Sequence, residues 1–140
     1  MEMKKTSKII KLLDLNPFEV HQEEKNEIFI DAMQESLKHH YKNSKEFKQI
    51  CDNHKFNVEG KFQLEEIPYI PVSIFKKFDL LSIPKENIFK TIFSSATTSN
   101  TPSKIFLDRI TSEYQTKALV SIITDFLHEK MDFLILDSKE

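Results

Sequence analysis

The final part of the chain, residues 91–140, departs from the helical spacing of the first part, and this change constrains the fold most. The run "IFKTIF", which begins just before this part at residue 88, and the run "SKIFLD" are typical of short strands and flank a polar segment. An amphipathic helix follows, and the apolar run "DFLILD" comes near the end, as in a strand covered on both faces. A strand, a helix and a buried strand form a βαβ unit, which belongs to a larger sheet. These residues therefore predict an α/β fold of which this chain supplies the first part.

Residues 1–60 carry helical spacing throughout. Thr6 or Ser7 is expected to cap a short helix that ends before Pro17. A second helix is predicted over residues 24–40. A third is predicted to begin at Asn43 or Ser44, because Asn43 and Glu46 resemble a capping box. This part is therefore interpreted as a helical region that closes with a turn at the single glycine, Gly60.

Residues 61–90 read as a connector, because Pro68, Pro71 and Pro84 prevent any long regular element. One short helix is expected around residues 72–78.

In residues 91–140, Ser112 and Gln115 predict the start of the last helix. Its expected apolar stripe comprises Ala118, Leu119, Ile122, Ile123, Phe126 and Leu127.

Charge and cysteine content exclude several classes of protein. The net charge is -2 and no basic stripe with interleaved aromatic residues occurs, so nucleic acid is not an expected partner. A single cysteine, Cys51, cannot form an internal disulfide, which favours a reducing compartment. No apolar run approaches the roughly 20 residues of a membrane span, and the N-terminal segment is too broken by charge for a signal peptide. We expect a cytoplasmic protein without a membrane span.

The segment "IFSSATTSNTPSK", residues 92–104, is the main candidate site. Phosphate binding needs converging donors, such as hydroxyls and a cation. The candidate donors are Ser94, Ser95, Thr97, Thr98, Ser99, Thr101 and Ser103, with Lys104 beside them. The segment lacks the Walker pattern of glycines. From the residues alone, either a phosphate loop or a solvated turn directed by Pro102 is possible, and the turn is favoured.

A second group contains histidines and the cysteine. Cys51 and His54 lie on one helix face, and His39 and His40 precede them in the neighbouring helix. Structural zinc usually needs four ligands, so this set is incomplete. We interpret the group as a half-buried helix pair with a structural thiol, and assign no metal ligand and no catalytic residue. A small zinc-binding module is kept as the weakest alternative.

Two separated motifs, "IPYIPVSIFKKFDLLSIP" and "IFKTIFSSATTSNTPSKIFLDRITSEYQ", resemble the acyl-protein synthetase family, which is related to the adenylate-forming ligases. "HHYKNSKEFKQIC" is similar to that family's N-terminal helical region, so the resemblance covers nearly all of the chain. Family members carry a loop of the form SSGTTG. Ser94, Ser95, Thr97 and Thr98 match it, whereas Ala96 and Ser99 replace its glycines. Glycine allows the backbone to approach a phosphate closely, so replacing both glycines is expected to weaken nucleotide binding.

The resemblance implies activation of a fatty-acid-like carboxylate by ATP with Mg²⁺, followed by transfer of the acyl group to a protein thiol. The loop would hold the phosphates through Ser94, Ser95, Thr97, Thr98, Ser99 and Lys104. The adenine-binding and acyl-acceptor segments of the family would lie beyond Glu140, so we expect an incomplete fold, inactive alone. The implied partners are the remainder of the ligase or an acyl-acceptor or reductase protein. The alternative is a non-catalytic, degenerate paralogue or interaction module that docks on a partner chain.

Overall fold

A computed structural model of the protein describes residues 7–16, 18–94 and 102–127. Over these residues the fold is mostly helical, with one two-stranded sheet. The elements are α1 (Lys8–Leu13), α2 (Gln22–Asn43), α3 (Lys45–Asn53), α4 (Ile74–Lys77), β1 (Lys90–Phe93), β2 (Lys104–Leu107) and α5 (Arg109–Leu127), with single 3-10 turns at Leu64–Glu66 and Lys85–Asn87.

Helix α1 packs against α2 and is capped as the sequence predicts. The hydroxyl of Ser7 accepts a hydrogen bond from the backbone amide of Ile9, which satisfies one of the free amides of the first turn. An ion pair of 2.7 Å between Lys8 Nζ and Asp31 Oδ2 joins the two helices. The N-terminal cap at Ser7 is therefore confirmed.

A single residue, Ser44, ends α2 and begins α3. Its amide donates to the carbonyl of His40 over 2.8 Å, and its buried hydroxyl accepts from the amide of Phe47. Asn43 instead donates its side-chain amide to the carbonyl of His39. The predicted start at Ser44 is confirmed, whereas a capping box at Asn43 is wrong because that side chain folds back onto α2.

The best-packed part of the core lies between α2, α3 and the start of the connector. Its buried members are Leu37, Cys51, Val58 and Phe62. The Cys51 side chain is fully enclosed, and burial raises the pKa of its thiol. This geometry agrees with a structural thiol. The expected turn at Gly60 is also present, and Gln34 holds it by donating to the Gly60 carbonyl over 2.9 Å.

Strands β1 and β2 pair antiparallel, with Lys90 opposite Leu107 and Phe93 opposite Lys104. The two predicted strands are confirmed, and they pair antiparallel, as strands joined by a direct connection can. The predicted strand "DFLILD" lies outside the described residues, so the described part of the chain contains no βαβ unit. The short connector helix, expected around residues 72–78, is present as α4.

Helix α5 begins at Arg109, earlier than the Ser112 pattern predicts. The carboxylate of Asp108 accepts from the amide of Thr111 over 2.7 Å, and this bond lowers the pKa of Asp108. The predicted apolar stripe lies in a helix. The described residues do not bury it, because Leu119 and Phe126 are 58% and 70% exposed. Within those residues, no helix has both the length and the apolar character required to cross a membrane.

We expect Phe62→Ala to lower the free energy of unfolding by about 3–5 kcal/mol, because it removes a buried ring from the core beside Phe56. Phe78→Ala is the matched control, since the Phe78 ring is 58% exposed, and it should cost less than about 1 kcal/mol. Urea unfolding followed by circular dichroism measures both changes. Equal losses from the two variants would contradict the assignment of the core.

Candidate functional site

A cavity of about 890 Å³, which we call the central cavity, opens between α1, α2, the connector, β2 and α5. Its size lies in the range of roughly 300–1,000 Å³ that is usual for small-molecule sites. Aliphatic and aromatic side chains form most of the wall, with polar groups gathered on α2, Ser82, β2 and the start of α5. The apolar wall includes Leu13, Met33, Phe47, Phe75, Ile83 and Phe106.

The base of the hydroxyl-rich loop is closed by two serines. The amide of Ser94 donates to the carbonyl of Ser103 over 3.0 Å, and the amide of Ser103 donates to Ser94 Oγ over 2.9 Å. The Ser94 hydroxyl is therefore engaged with the backbone of the opposite strand end. Residues 95–101 lie outside the described residues, so a phosphate-binding role for Ser95, Thr97, Thr98 and Ser99 stays a prediction.

The hydroxyl of Ser103 is buried and has no hydrogen-bond partner among the described residues. A buried polar group left unpaired costs about 1–3 kcal/mol. Its partner is therefore expected to come from the remainder of the loop, from water or from a ligand. Ser103 is one of the candidate donors that the hydroxyl-rich segment offers in sequence.

Lys104 begins β2 and contributes to the wall of the central cavity. Its Nζ lies 3.2 Å from Oδ1 of Asp79 in the connector, and both side chains are close to half exposed. No sequence motif marks Asp79 as a site residue. An exposed pair of this kind contributes only about 0–1 kcal/mol, so Lys104 can exchange Asp79 for an anionic ligand at little cost.

On the α2 side of the cavity, His40 contacts Ser82 of the connector. The distance between His40 Nδ1 and Ser82 Oγ is 2.7 Å. Surrounding protein atoms lower the pKa of His40 by desolvation, and the neighbouring His39 lowers it further. Because the cavity is open, solvent still reaches the ring. The neutral imidazole can thus accept the Ser82 proton.

The residues of the possible zinc site are not brought together. Cys51 is enclosed in the core, His54 is exposed at the end of α3, and His40 is hydrogen-bonded to Ser82. Over residues 7–16, 18–94 and 102–127, no group of three or more His, Cys, Asp or Glu side chains has an arrangement suited to a metal ion.

Comparisons with known proteins agree with the two sequence motifs. The family described as "Acyl-protein synthetase, LuxE" matches residues 2–137. The chain is also similar to the long-chain-fatty-acid–luciferin-component ligase of Photorhabdus luminescens, with 32% identity over 76 residues, or 54% of this chain. The chain spans less than two thirds of that relative's length, namely 64%. No solved structure matches the chain.

The His40 environment predicts a pH dependence of stability. The folded-state pKa lies below the ordinary value of 6.5, so the unfolded chain takes up a proton first as the pH falls. Stability is therefore greatest above this value and decreases below it. We expect the urea midpoint to fall more for the unmodified protein than for His40→Gln between about pH 7.5 and about pH 5.5. An equal fall in both proteins would contradict this assignment.

Proposed function

Because this chain belongs to the acyl-protein synthetase family, a family of ATP-dependent ligases, we propose that it forms the N-terminal part of a domain that activates a fatty acid. In this proposal residues 1–60 are the helical region, 61–90 the connector, and 91–140 the start of an adenylate-forming βαβ domain. The acid attacks the α-phosphate of ATP to give an acyl-adenylate and pyrophosphate. The acyl group is then transferred to a protein thiol, which forms a thioester as AMP departs and the thiol proton is released.

The observation that carries the proposal is the combination of an apolar cavity with a cation in its wall. The side chains from α1, α2 and the connector suit the aliphatic part of a fatty acid. Lys104, at the β2 wall, suits the carboxylate or a phosphate that must meet it. The acid is thus expected to lie with its tail along the helices and its head toward β2.

ATP is proposed to bind at the hydroxyl-rich loop, with Mg²⁺ on its triphosphate. Ser94 fixes the first end of the loop, and Ser103 offers a buried hydroxyl at the second. Ser95, Thr97, Thr98 and Ser99 would supply donors to the phosphates. Lys104 would stabilise the charge that develops on the departing pyrophosphate.

We expect Lys104→Ala to weaken binding of ATP with Mg²⁺ by roughly tenfold to a hundredfold, the value of one charge-assisted contact. Asp79→Asn should strengthen binding by up to about fivefold, because it releases Lys104 from an exposed ion pair. Isothermal titration calorimetry measures both.

Lys117→Ala is the matched control for this experiment. Lys117 is also half exposed and paired with an aspartate, Asp14, but it is not part of the cavity wall. Binding should change little in this variant. Equal losses from Lys104→Ala and Lys117→Ala would show that only diffuse charge matters and would remove the support for a phosphate site.

A second candidate function, that of a non-catalytic module that docks on another chain, is favoured by the surface of α5. Leu119, Ile122 and Phe126 lie at helical spacing on one side of this helix and are 58%, 43% and 70% exposed. Such concentrations of apolar surface are unusual on monomers. A second copy of this chain presents an equivalent apolar helix, so self-association is the form of docking proposed here.

If α5 mediates self-association, size-exclusion chromatography with light scattering should give a mass above the 16.5 kDa of one chain at micromolar concentration. Leu119→Lys places a charge on the apolar surface and should restore the monomer. Thr116→Lys, an exposed polar position on the same helix, is the control and should not. A stable monomer before any substitution would contradict this second candidate function.

A further inference from the structure

The hydrogen bond between His40 and Ser82 joins two residues that the proposed ligation does not use. His40 Nδ1 and Ser82 Oγ are 2.7 Å apart although 42 positions separate them in the chain. Both side chains line the central cavity, and Leu80 and Ile83 on either side of Ser82 also contribute to its wall. The hydroxyl therefore lies among apolar side chains, within reach of a base.

The His40 ring is held in a defined orientation. His39 contacts it edge-on with ring centres 5.5 Å apart, and Phe47 contacts it with centres 6.0 Å apart at a steep angle. Desolvation by surrounding protein atoms and the neighbouring His39 both lower the pKa of His40, which favours the neutral imidazole. A neutral, oriented imidazole beside a serine is the arrangement in which a hydroxyl becomes a nucleophile.

We propose that Ser82 and His40 are a nucleophile and base that take an acyl group from an acyl ester or thioester bound in the central cavity. Ser82 Oγ attacks the carbonyl carbon and forms a new C–O bond, while its proton passes to His40 Nδ1. The bond from the carbonyl carbon to the leaving oxygen or sulfur then breaks. His40 returns the proton to the leaving group, which departs as an alcohol or thiol.

The apolar wall identifies the substrate class as an aliphatic acyl group. A chain in contact with Leu80 and Ile83 would bring its carbonyl toward the hydroxyl that lies between them. The inference shares with the proposed function only the acyl chain in the cavity. It requires neither ATP nor Lys104, so the two can be tested separately.

The experiment uses the full chain and p-nitrophenyl octanoate. Release of p-nitrophenolate should show a burst, and peptide mass spectrometry should place one octanoyl group on Ser82. Ser82→Ala should abolish this adduct and the burst. His40→Gln should slow acylation on the order of 10²–10⁴-fold, the usual contribution of a general base. Ser82→Cys should retain acylation, now as a thioester.

The controls are Ser73→Ala and His54→Gln, because both residues are exposed and neither lines the cavity. Neither should change the burst. Labelling of the unmodified protein with a fluorophosphonate provides a test that needs no variant to fold, and Ser82 should be the serine that reacts. Absence of Ser82 from the labelled peptides would overturn the inference, as would a burst unchanged in Ser82→Ala or His40→Gln.

The two proposals fail in distinguishable ways. Labelling of Ser82 in a protein that does not bind ATP would overturn the proposed function alone. Binding of ATP that depends on Lys104, without any acyl adduct on Ser82, would overturn the nucleophile assignment alone.

Discussion

Helix α2 is the constraint on which the other described elements depend. Its 22 residues contribute Leu37 to the core, Asp31 to the contact with α1, and His40 to the contact with the connector. The chain can place all three because successive helical turns direct side chains to different sides. Ser44 then stops the helix and turns α3 back against it. Helix α2 forms a wall that the other helices and the connector share, and without it they would not enclose the central cavity.

The cavity and the core are stabilised by different kinds of contact. Cys51 and its neighbours are shielded from water, so hydrophobic burial stabilises that region. The walls of the cavity are joined by polar contacts between distant segments, chiefly His40 with Ser82 and Lys104 with Asp79. Each of these polar contacts contributes less free energy than burial in the core does, but its side chains can exchange one polar partner for another. Leu37 belongs to the core and also lines the cavity, so a ligand in the cavity would contact the edge of the core.

Local interactions made much of the fold predictable. The caps at Ser7 and Ser44 and the turn at Gly60 depend on neighbouring backbone groups, and their residue types indicate them directly. The start of α5 was mistaken because Asp108 and Ser112 both resemble caps, and only the structure decides between them. Lys104 was identified from the loop, but not its partner.

Asp79 and Ser82 could not be identified as site residues, because their partners lie 25 and 42 positions away. No local pattern marks such pairs, which arise only when the connector folds against α2 and β2. The hydroxyls of residues 95–101 were recognised by their order in a family motif, and their role stays a prediction. The sequence therefore indicates the helices, the strands and the Lys104 end of the site. The other site residues are brought together only by tertiary contacts.

The ion pairs that join separate elements are expected to be more sensitive to salt than the apolar core is. Lys8 with Asp31 links α1 to α2, Lys117 with Asp14 links α5 to the end of α1, and Lys104 with Asp79 links β2 to the connector. All are well exposed, and dissolved ions screen such charges over about 8 Å at physiological ionic strength. Rising salt therefore weakens these outer links by screening, whereas burial of the apolar core does not depend on paired charges. Ionic strength therefore changes the strength of each outer link by no more than about 1 kcal/mol.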